Sequence, residues 1–314
     1  MRIGWRQFIK SKFQSKSKYS AVGISLAVDT ACFCALKPSE GGTAVALYHE
    51  APIGSWPQAL ASWVSDNKIG NAYCGVAIAS QLHSIFQIEK PSVKPAEIHK
   101  ALTWPVKEMA GSDSPELVFD FFEPPVQSSG ADNLNVVAFP KAELEKIINA
   151  VLNAGLSLKS VVPEELAICD LVDSDDAVMT MLQRAGDEIQ LTIVQQGKLY
   201  FSRSLKGFEN LGSFSIDELQ MGVMDSLTVQ IQRSMDYFES QLRQAPIRKI
   251  FMNIESANSQ AIADQIKELM RVEVLPFNAK ISSQDIGHDS VDFSCLGASY
   301  AALEGTETRS EHVA

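Results

Sequence analysis

A chain of 314 residues, 46% hydrophobic and 21% charged, has the length of about two ordinary domains and the composition of a soluble globular protein. Its 18 glycines and 13 prolines are ordinary numbers, which excludes collagenous, low-complexity and wholly disordered chains. The net charge of −11 is unevenly spread: residues 1–20 carry Arg2, Arg6, Lys10, Lys12, Lys16 and Lys18 with no acid, hence +6, and the rest holds 21 bases against 38 acids, hence −17. No basic stripe survives outside this head, which argues against nucleic acid as a partner of the body.

Within the head, Trp5, Phe8, Ile9 and Phe13 recur at helical spacing with the cations interleaved, the pattern of a short helix lying on an anionic membrane surface. The same aromatics would equally dock a tail on the protein's own body, and the pattern does not choose between the two. The apolar run 21–36 after the head imitates a secretory signal. Asp29 within the run and the lack of a small-x-small cleavage site in Lys37-Pro38-Ser39-Glu40 oppose that reading, and the run is too short to span a bilayer. No other apolar stretch approaches the length of a transmembrane helix.

Strands are expected at 21–26, 31–36 and 43–48, with a hairpin turn at Gly41-Gly42. A helix at 57–64 and a strand at 72–79 follow. A second meander of the same form, 177–182, 188–194 and 198–203 with a turn at Gln196-Gly197, begins about 155 residues after the first and suggests a duplicated domain. An inserted α+β subdomain at about 88–140 separates them. It contains a helix at 95–109 with Ile98, Leu102, Val106 and Met109 inward, which Pro105 should kink, and strands at 116–122 and 134–139. A helix at 141–153 closes on Gly155. After the second meander, Ser215-x-x-Glu218 forms a capping box for a long helix striped by Leu219, Val223, Leu227, Ile231, Phe238 and Leu242. A strand, a helix and a strand at 249–254, 257–271 and 272–277 complete the order, and residues 304–314 read as a disordered tail. The expected division is therefore a head 1–20, a first half 21–172 that contains the insertion, and a second half 173–303.

Cys32, Cys34, Cys74, Cys169 and Cys295 show no metal-ligand spacing and read as reduced, buried, small apolar residues of a cytoplasmic protein. No two of the five histidines fall at metal-ligand spacing, and Asp173, Asp175 and Asp176 read as a solvated loop. No metal is expected.

This α/β arrangement resembles the actin-like ATPase superfold (ASKHA), and more closely the PilM family of type IV pilus assembly proteins. The resemblance is carried by YSAVGI at 19–24, PAEIHKALTW at 95–104, VAFPKAE at 137–143, NAGLSL at 153–158, PEELA at 163–167, LYFSR at 199–203, the helix 225–239 and LGASYAA at 296–302. Among family members it is most similar to those that serve mannose-sensitive haemagglutinin (MSHA) pili.

The resemblance implies two hairpins that grip phosphates, each needing an aspartate for magnesium and a glycine that lets main-chain N–H groups approach the oxygens. Where the family reads Gly-Ile-Asp-Ile-Gly, this chain has Gly23-Ile24-Ser25-Leu26-Ala27, so Ser25 and Ala27 stand at the gripping positions. The second Asp-Ile-Gly falls on Gln183-Arg184-Ala185, and the adenosine-side Gly-Gly falls on Ile254 and Glu255. Asp29 and Asp187 are the carboxylates that a register shift could bring in. Phosphoryl transfer is mainly charge positioning, so a non-catalytic member without a cofactor is expected. Binding of ATP with magnesium at a displaced site is the alternative.

The resemblance further implies a cytoplasmic scaffold at the inner membrane. It would grip the N-terminal tail of a PilN-like (MshJ-type) bitopic protein and link it to the pilus assembly ATPase. The implied groove lies between the first meander and the insertion, with Trp104, Phe119, Leu102 and Val76 as candidates; plain core packing would place the same residues. An actin-fold ATPase is the competing reading, and a filament former like FtsA is a third.

Overall fold

The computed structural model describes residues 17–39, 42–111, 113–128, 130, 132–277, 279 and 291–304. The head aromatics Trp5, Phe8, Ile9 and Phe13, the Gly41 turn position and the C-terminal tail lie outside the described residues. In chain order the elements are β1 (Ala21–Leu26), β2 (Thr30–Ser39), β3 (Gly42–Pro52), α1 (Trp56–Asp66), β4 (Tyr73–Ile78), β5 (Ser84–Glu89), α2 (Pro95–Ala110), β6 (Leu117–Phe122), β7 (Asn133–Pro140), α3 (Lys141–Asn153), β8 (Ser157–Pro163) and α4 (Glu164–Cys169). They continue with β9 (Val178–Gln183), β10 (Ile189–Gln195), β11 (Lys198–Leu205), the single turn α5 (Ile216–Glu218), α6 (Met224–Asp236), β12 (Lys249–Ile254), α7 (Ser259–Met270), β13 (Glu273–Pro276) and α8 (Phe293–Glu304).

Two sheets repeat one topology, β3-β2-β1-β4-β8 and β11-β10-β9-β12-β13. Each is an antiparallel meander extended by parallel strands beside its first strand. The repeat holds to the level of single bonds. Leu26 pairs with Ile78 and its carbonyl accepts the Ala79 N–H at 2.9 Å; Gln183 pairs with Ile254 and its carbonyl accepts the Glu255 N–H at 3.1 Å. The described residues divide into two compact units: those up to Leu82 with 140–168 and α8, and 83–139 with 169–280. The insertion thus groups with the second half, whereas its place in the chain assigns it to the first.

In the first unit all six residues of β1 are buried, and so are Phe33, Leu36, Leu60 and Ile69. Helix α8 lies against β1 and β4 and is rich in small residues, so its backbone approaches the strands unusually closely. A methyl group at Gly23 would run into the carbonyl of Cys295, one at Gly75 into that of Ala298, and one at Gly297 into that of Ala167. All five cysteines are free and buried. Cys34 Sγ donates to the Cys295 carbonyl (3.5 Å) and Cys295 Sγ to the Gly23 carbonyl (3.2 Å), so these thiols fill the seam between helix and sheet. Burial, and then the neighbouring Cys34, hold the Cys295 thiol well above its ordinary pKa, which keeps it protonated and unreactive at neutral pH.

The second unit packs Met179, Met181, Leu191, Ile193, Leu227, Ile231 and Phe238 into one core. Gln196 and Gly197 both take the left-handed conformation (φ 51 and 70), as a two-residue hairpin turn requires. The capping box forms as expected: Glu218 N–H donates to Ser215 Oγ, and Ser215 N–H donates to the Glu218 carboxylate at 2.8 Å. The long helix is not continuous. It widens into π-type turns at Leu219–Val223 and Tyr237–Gln241, and within the first Met221 is non-helical and Gly222 has φ 96. The extra residue in each wide turn re-phases the stripe, so that Leu219, Leu227, Ile231, Phe238 and Leu242 all stay buried.

The insertion is a three-stranded sheet, β5-β7-β6, with α2 on one face. Ile98, Leu102 and Val106 recur at i, i+4 and seat α2 on Ile88, Leu134, Val136 and Ala138. Pro105 lies inside this helix, which runs from Pro95 to Ala110. Its ring removes one main-chain bond, and the apolar stripe on either side holds both ends to the same sheet. Strand β5 was not anticipated, because apolar Ile85 and Phe86 are adjacent and break the alternation that marks a strand.

Candidate functional site

The β1–β2 hairpin closes with the Ala27 N–H donating to the Thr30 carbonyl (2.9 Å). Ser25 is 2% exposed, and its hydroxyl is buried without a hydrogen-bond partner. Asp29 is exposed in the turn, and its carbonyl accepts the Ile53 N–H (2.9 Å). A lone buried hydroxyl lacks the charge to hold a divalent cation.

The β9–β10 hairpin is closed by side chains of its own and by Glu255, the residue after β12. The Ala185 N–H donates to Glu255 Oε2 (3.0 Å), and the Asp187 N–H donates to the Arg184 carbonyl (3.0 Å). Asp187 is tied by an ion pair to Arg184 Nε (3.1 Å). Gln183 Nε2 donates to the carbonyls of Asp187 (2.8 Å) and Phe208 (2.7 Å), which locks the turn to the loop after β11. Glu255 in turn is held by close packing, since a side chain at Gly212 would strike its carbonyl. A carboxylate therefore occupies an amide that an anion would need, and Asp187 is engaged by a cation of its own hairpin. The residues of this hairpin do not fit a magnesium-bound triphosphate.

The repeated bonds also correct the register. Because Leu26 and Gln183 are equivalent, the counterpart of Ser25 is Leu182, and the second aspartate position falls one residue before Gln183. Leu182 carries no carboxylate either, and Arg184 is then the residue equivalent to Ala27.

The four groove candidates are not brought together in one unit. Val76 lies on β4 in the first unit and is wholly buried; Leu102, Trp104 and Phe119 belong to the second. Leu102 is also 0% exposed and serves the core of the insertion, so neither Leu102 nor Val76 offers a surface. Trp104 is different: it projects from α2 at 70% exposure. Phe119 is half-buried, and His99 stacks on its ring at 4.3 Å and donates from Nε2 to its carbonyl (3.2 Å). Strand β6 is an edge of its sheet. Two of its main-chain groups are taken by side chains, the Phe119 carbonyl by His99 and the Phe121 N–H by Asp120 (2.8 Å), which blunts the edge against unselective pairing.

Behind the face of this sheet opposite α2 is a cleft of about 340 Å³ that sequence reading did not reveal. Gln87, Phe122 and Asn135 line it from the insertion, and Tyr200, Phe201 and Tyr237 from the second half. Among the described residues its lining is apolar and uncharged polar. The outward-facing residues of β5 and β7 alternate with the core residues, but cleft and core positions look alike until the partner face is known.

No family model matches the sequence, and no curated protein does. Among solved structures the chain is similar to one described as the PilM–PilN type IV pilus biogenesis complex, at 17% identity and a TM-score of 0.63, over 92% of this chain and 97% of that one. This likeness over nearly the whole length joins the duplicated sheet order and the insertion after β4. The chain has an actin-like fold. It is also similar to the cytoplasmic domain of EpsL, an inner-membrane component of the type II secretion system of Vibrio cholerae, at 9% identity and a TM-score of 0.51, over 90% and 93% of the two chains. A Bacteroides thetaiotaomicron protein described as having an actin-like ATPase fold and unknown function matches at 10% identity and a TM-score of 0.49, over 82% and 91%. Among the described residues no helix is long and apolar enough to cross a membrane.

Proposed function

We propose that this actin-like chain is a non-catalytic scaffold of type IV pilus biogenesis, of the MSHA (MshI-like) kind. It grips the N-terminal tail of a PilN-like, MshJ-type inner-membrane protein and links it to the assembly ATPase. The observation that carries the reading is the closed β9–β10 hairpin, where Glu255 takes the Ala185 N–H and Arg184 takes Asp187. The fold's usual cofactor, ATP with magnesium, is not assigned to it. The likeness to structures named for PilM–PilN and EpsL supports the choice of system. Trp104 is the side chain best suited to anchor the partner tail, because it is aromatic, exposed and mounted on a rigid helix. The acidic body suits a basic tail, and the basic head holds the protein at the cytoplasmic face of the inner membrane.

Two titrations of the full-length protein test this. The partner's N-terminal peptide should bind saturably, and Mg-ATP should leave the melting temperature unchanged. Stabilisation by Mg-ATP without peptide binding would instead favour an ATP-binding protein with a displaced site.

A further inference from the structure

The folded body contributes its own basic surface at one end of the first sheet. Strand register fixes that end: Ala21 of β1 pairs with Leu36 of β2 and Tyr73 of β4, and Tyr73 with Ser157 of β8. Lys18 and Lys37 lie 5.0 and 4.9 Å from the centre of the Tyr19 ring, and Lys159 lies 4.2 Å from that of Tyr73. Lys159 stands at the bulge between Leu158 and Ser160, which turns it out of the ladder. Lys68 is exposed in the neighbouring loop, whose Ile69 carbonyl accepts the Ser17 hydroxyl (3.0 Å) and so ties the chain entry to the same place. Tyr73 and Leu152, 40% and 53% exposed, add apolar surface there. Asp66, an acid, ends α1 two residues before Lys68.

We propose that Lys18, Lys37, Lys68 and Lys159, with Tyr73 and Leu152, form a face that lies on an anionic lipid bilayer. Three of these cations, Lys37, Lys68 and Lys159, come from a body of net −17, where such a gathering is unexpected, and Lys18 joins them from the end of the basic head. An exposed tyrosine ring backed by lysine, as Tyr73 is by Lys159, is suited to the headgroup layer, where the ring meets acyl chains and the ammonium meets phosphate. Ser17, the first described residue, is tied to this face through the Ile69 carbonyl, and the sixteen residues before it in sequence carry Arg2, Arg6, Lys10, Lys12 and Lys16 and no acid. The inference rests on the membrane part of the proposed function and assigns it a second set of residues, of which Lys37, Lys68, Lys159, Tyr73 and Leu152 lie outside the head.

The test is sedimentation of the full-length protein with vesicles of zwitterionic lipid containing about a third phosphatidylglycerol, at low salt. The variant Lys37→Gln/Lys68→Gln/Lys159→Gln keeps the head intact and should lose affinity on the order of 100-fold, at about one lysine's worth of surface attraction each. Its melting temperature should match wild type, and Lys198→Gln/Lys267→Gln, in the other unit, should bind as wild type. Wild-type binding by the folded triple variant overturns the face, even if neutralising the five head cations abolishes binding. No sedimentation of the wild-type protein overturns face and head together. Retention on polyglutamate but not on vesicles would overturn the lipid assignment in favour of an acidic polypeptide.

Discussion

Gly23 and Gly75 sit mid-strand, where glycine ordinarily weakens a sheet, and the reason is the backbone of α8 pressed against them. Gly23→Ala and Gly75→Ala should each destabilise the protein by about 1–3 kcal/mol or more, because the obstructing atoms are main-chain carbonyls that cannot swing aside. Urea unfolding of the full chain measures this; a change below about 0.5 kcal/mol would mean that α8 can shift. Leu102 and Trp104, two residues apart on α2, should separate packing from binding. Leu102→Ala should cost about 2–5 kcal/mol of stability. Trp104→Ala should leave the unfolding midpoint in place and weaken the partner peptide by at least tenfold, as loss of an exposed anchor does. If both residues merely pack, the second change will not be seen.

At the scale of elements, the Glu218 carboxyl is held below the ordinary carboxylate range, first by the Ser215 N–H and then by the Ser215 hydroxyl. A carboxyl lowered in the folded state stabilises it above the unfolded pKa, and that contribution is lost as the pH falls through the folded value. Hydrogen exchange at Glu218 and Leu219 should therefore show weaker protection on acidification; Glu218→Gln should remove the dependence, and Ser215→Ala, which keeps the main-chain N–H, should only reduce it. The same region shows what the sequence made legible. The meanders could be read because period-two alternation is local, and the capping box because four adjacent residues encode it. Helix α8 could not be read from an apolar stripe, since seven of its twelve residues are Gly, Ala, Ser or Cys and these make its close contacts with the strands. Its signal lies in Gly23 and Gly75, more than 200 positions away in the chain. Gly222 was visible inside a helical pattern, but whether such a glycine breaks, widens or is tolerated depends on which residues must stay buried afterwards. At the hairpins, Ser25 and the lack of an aspartate could be read directly. The Glu255 contact to Ala185 joins residues 70 apart and needed the strand register, which also moved the second aspartate position to Leu182.

For the molecule as a whole, the scaffold proposed above would meet lipid and peptide in place of nucleotide. Mg-ATP supplied at 100 times the dissociation constant of a true site would add about 2.7 kcal/mol to stability. No such shift should appear in a thermal melt, and the Ala185 hairpin should give the same exchange protection with and without nucleotide. The scaffold itself is tested most directly by calorimetric titration of the folded, full-length protein with the N-terminal tail of its PilN-like partner. Saturable binding that Trp104→Ala weakens is the expected result; no heat and no binding by a protein shown to be folded would contradict it.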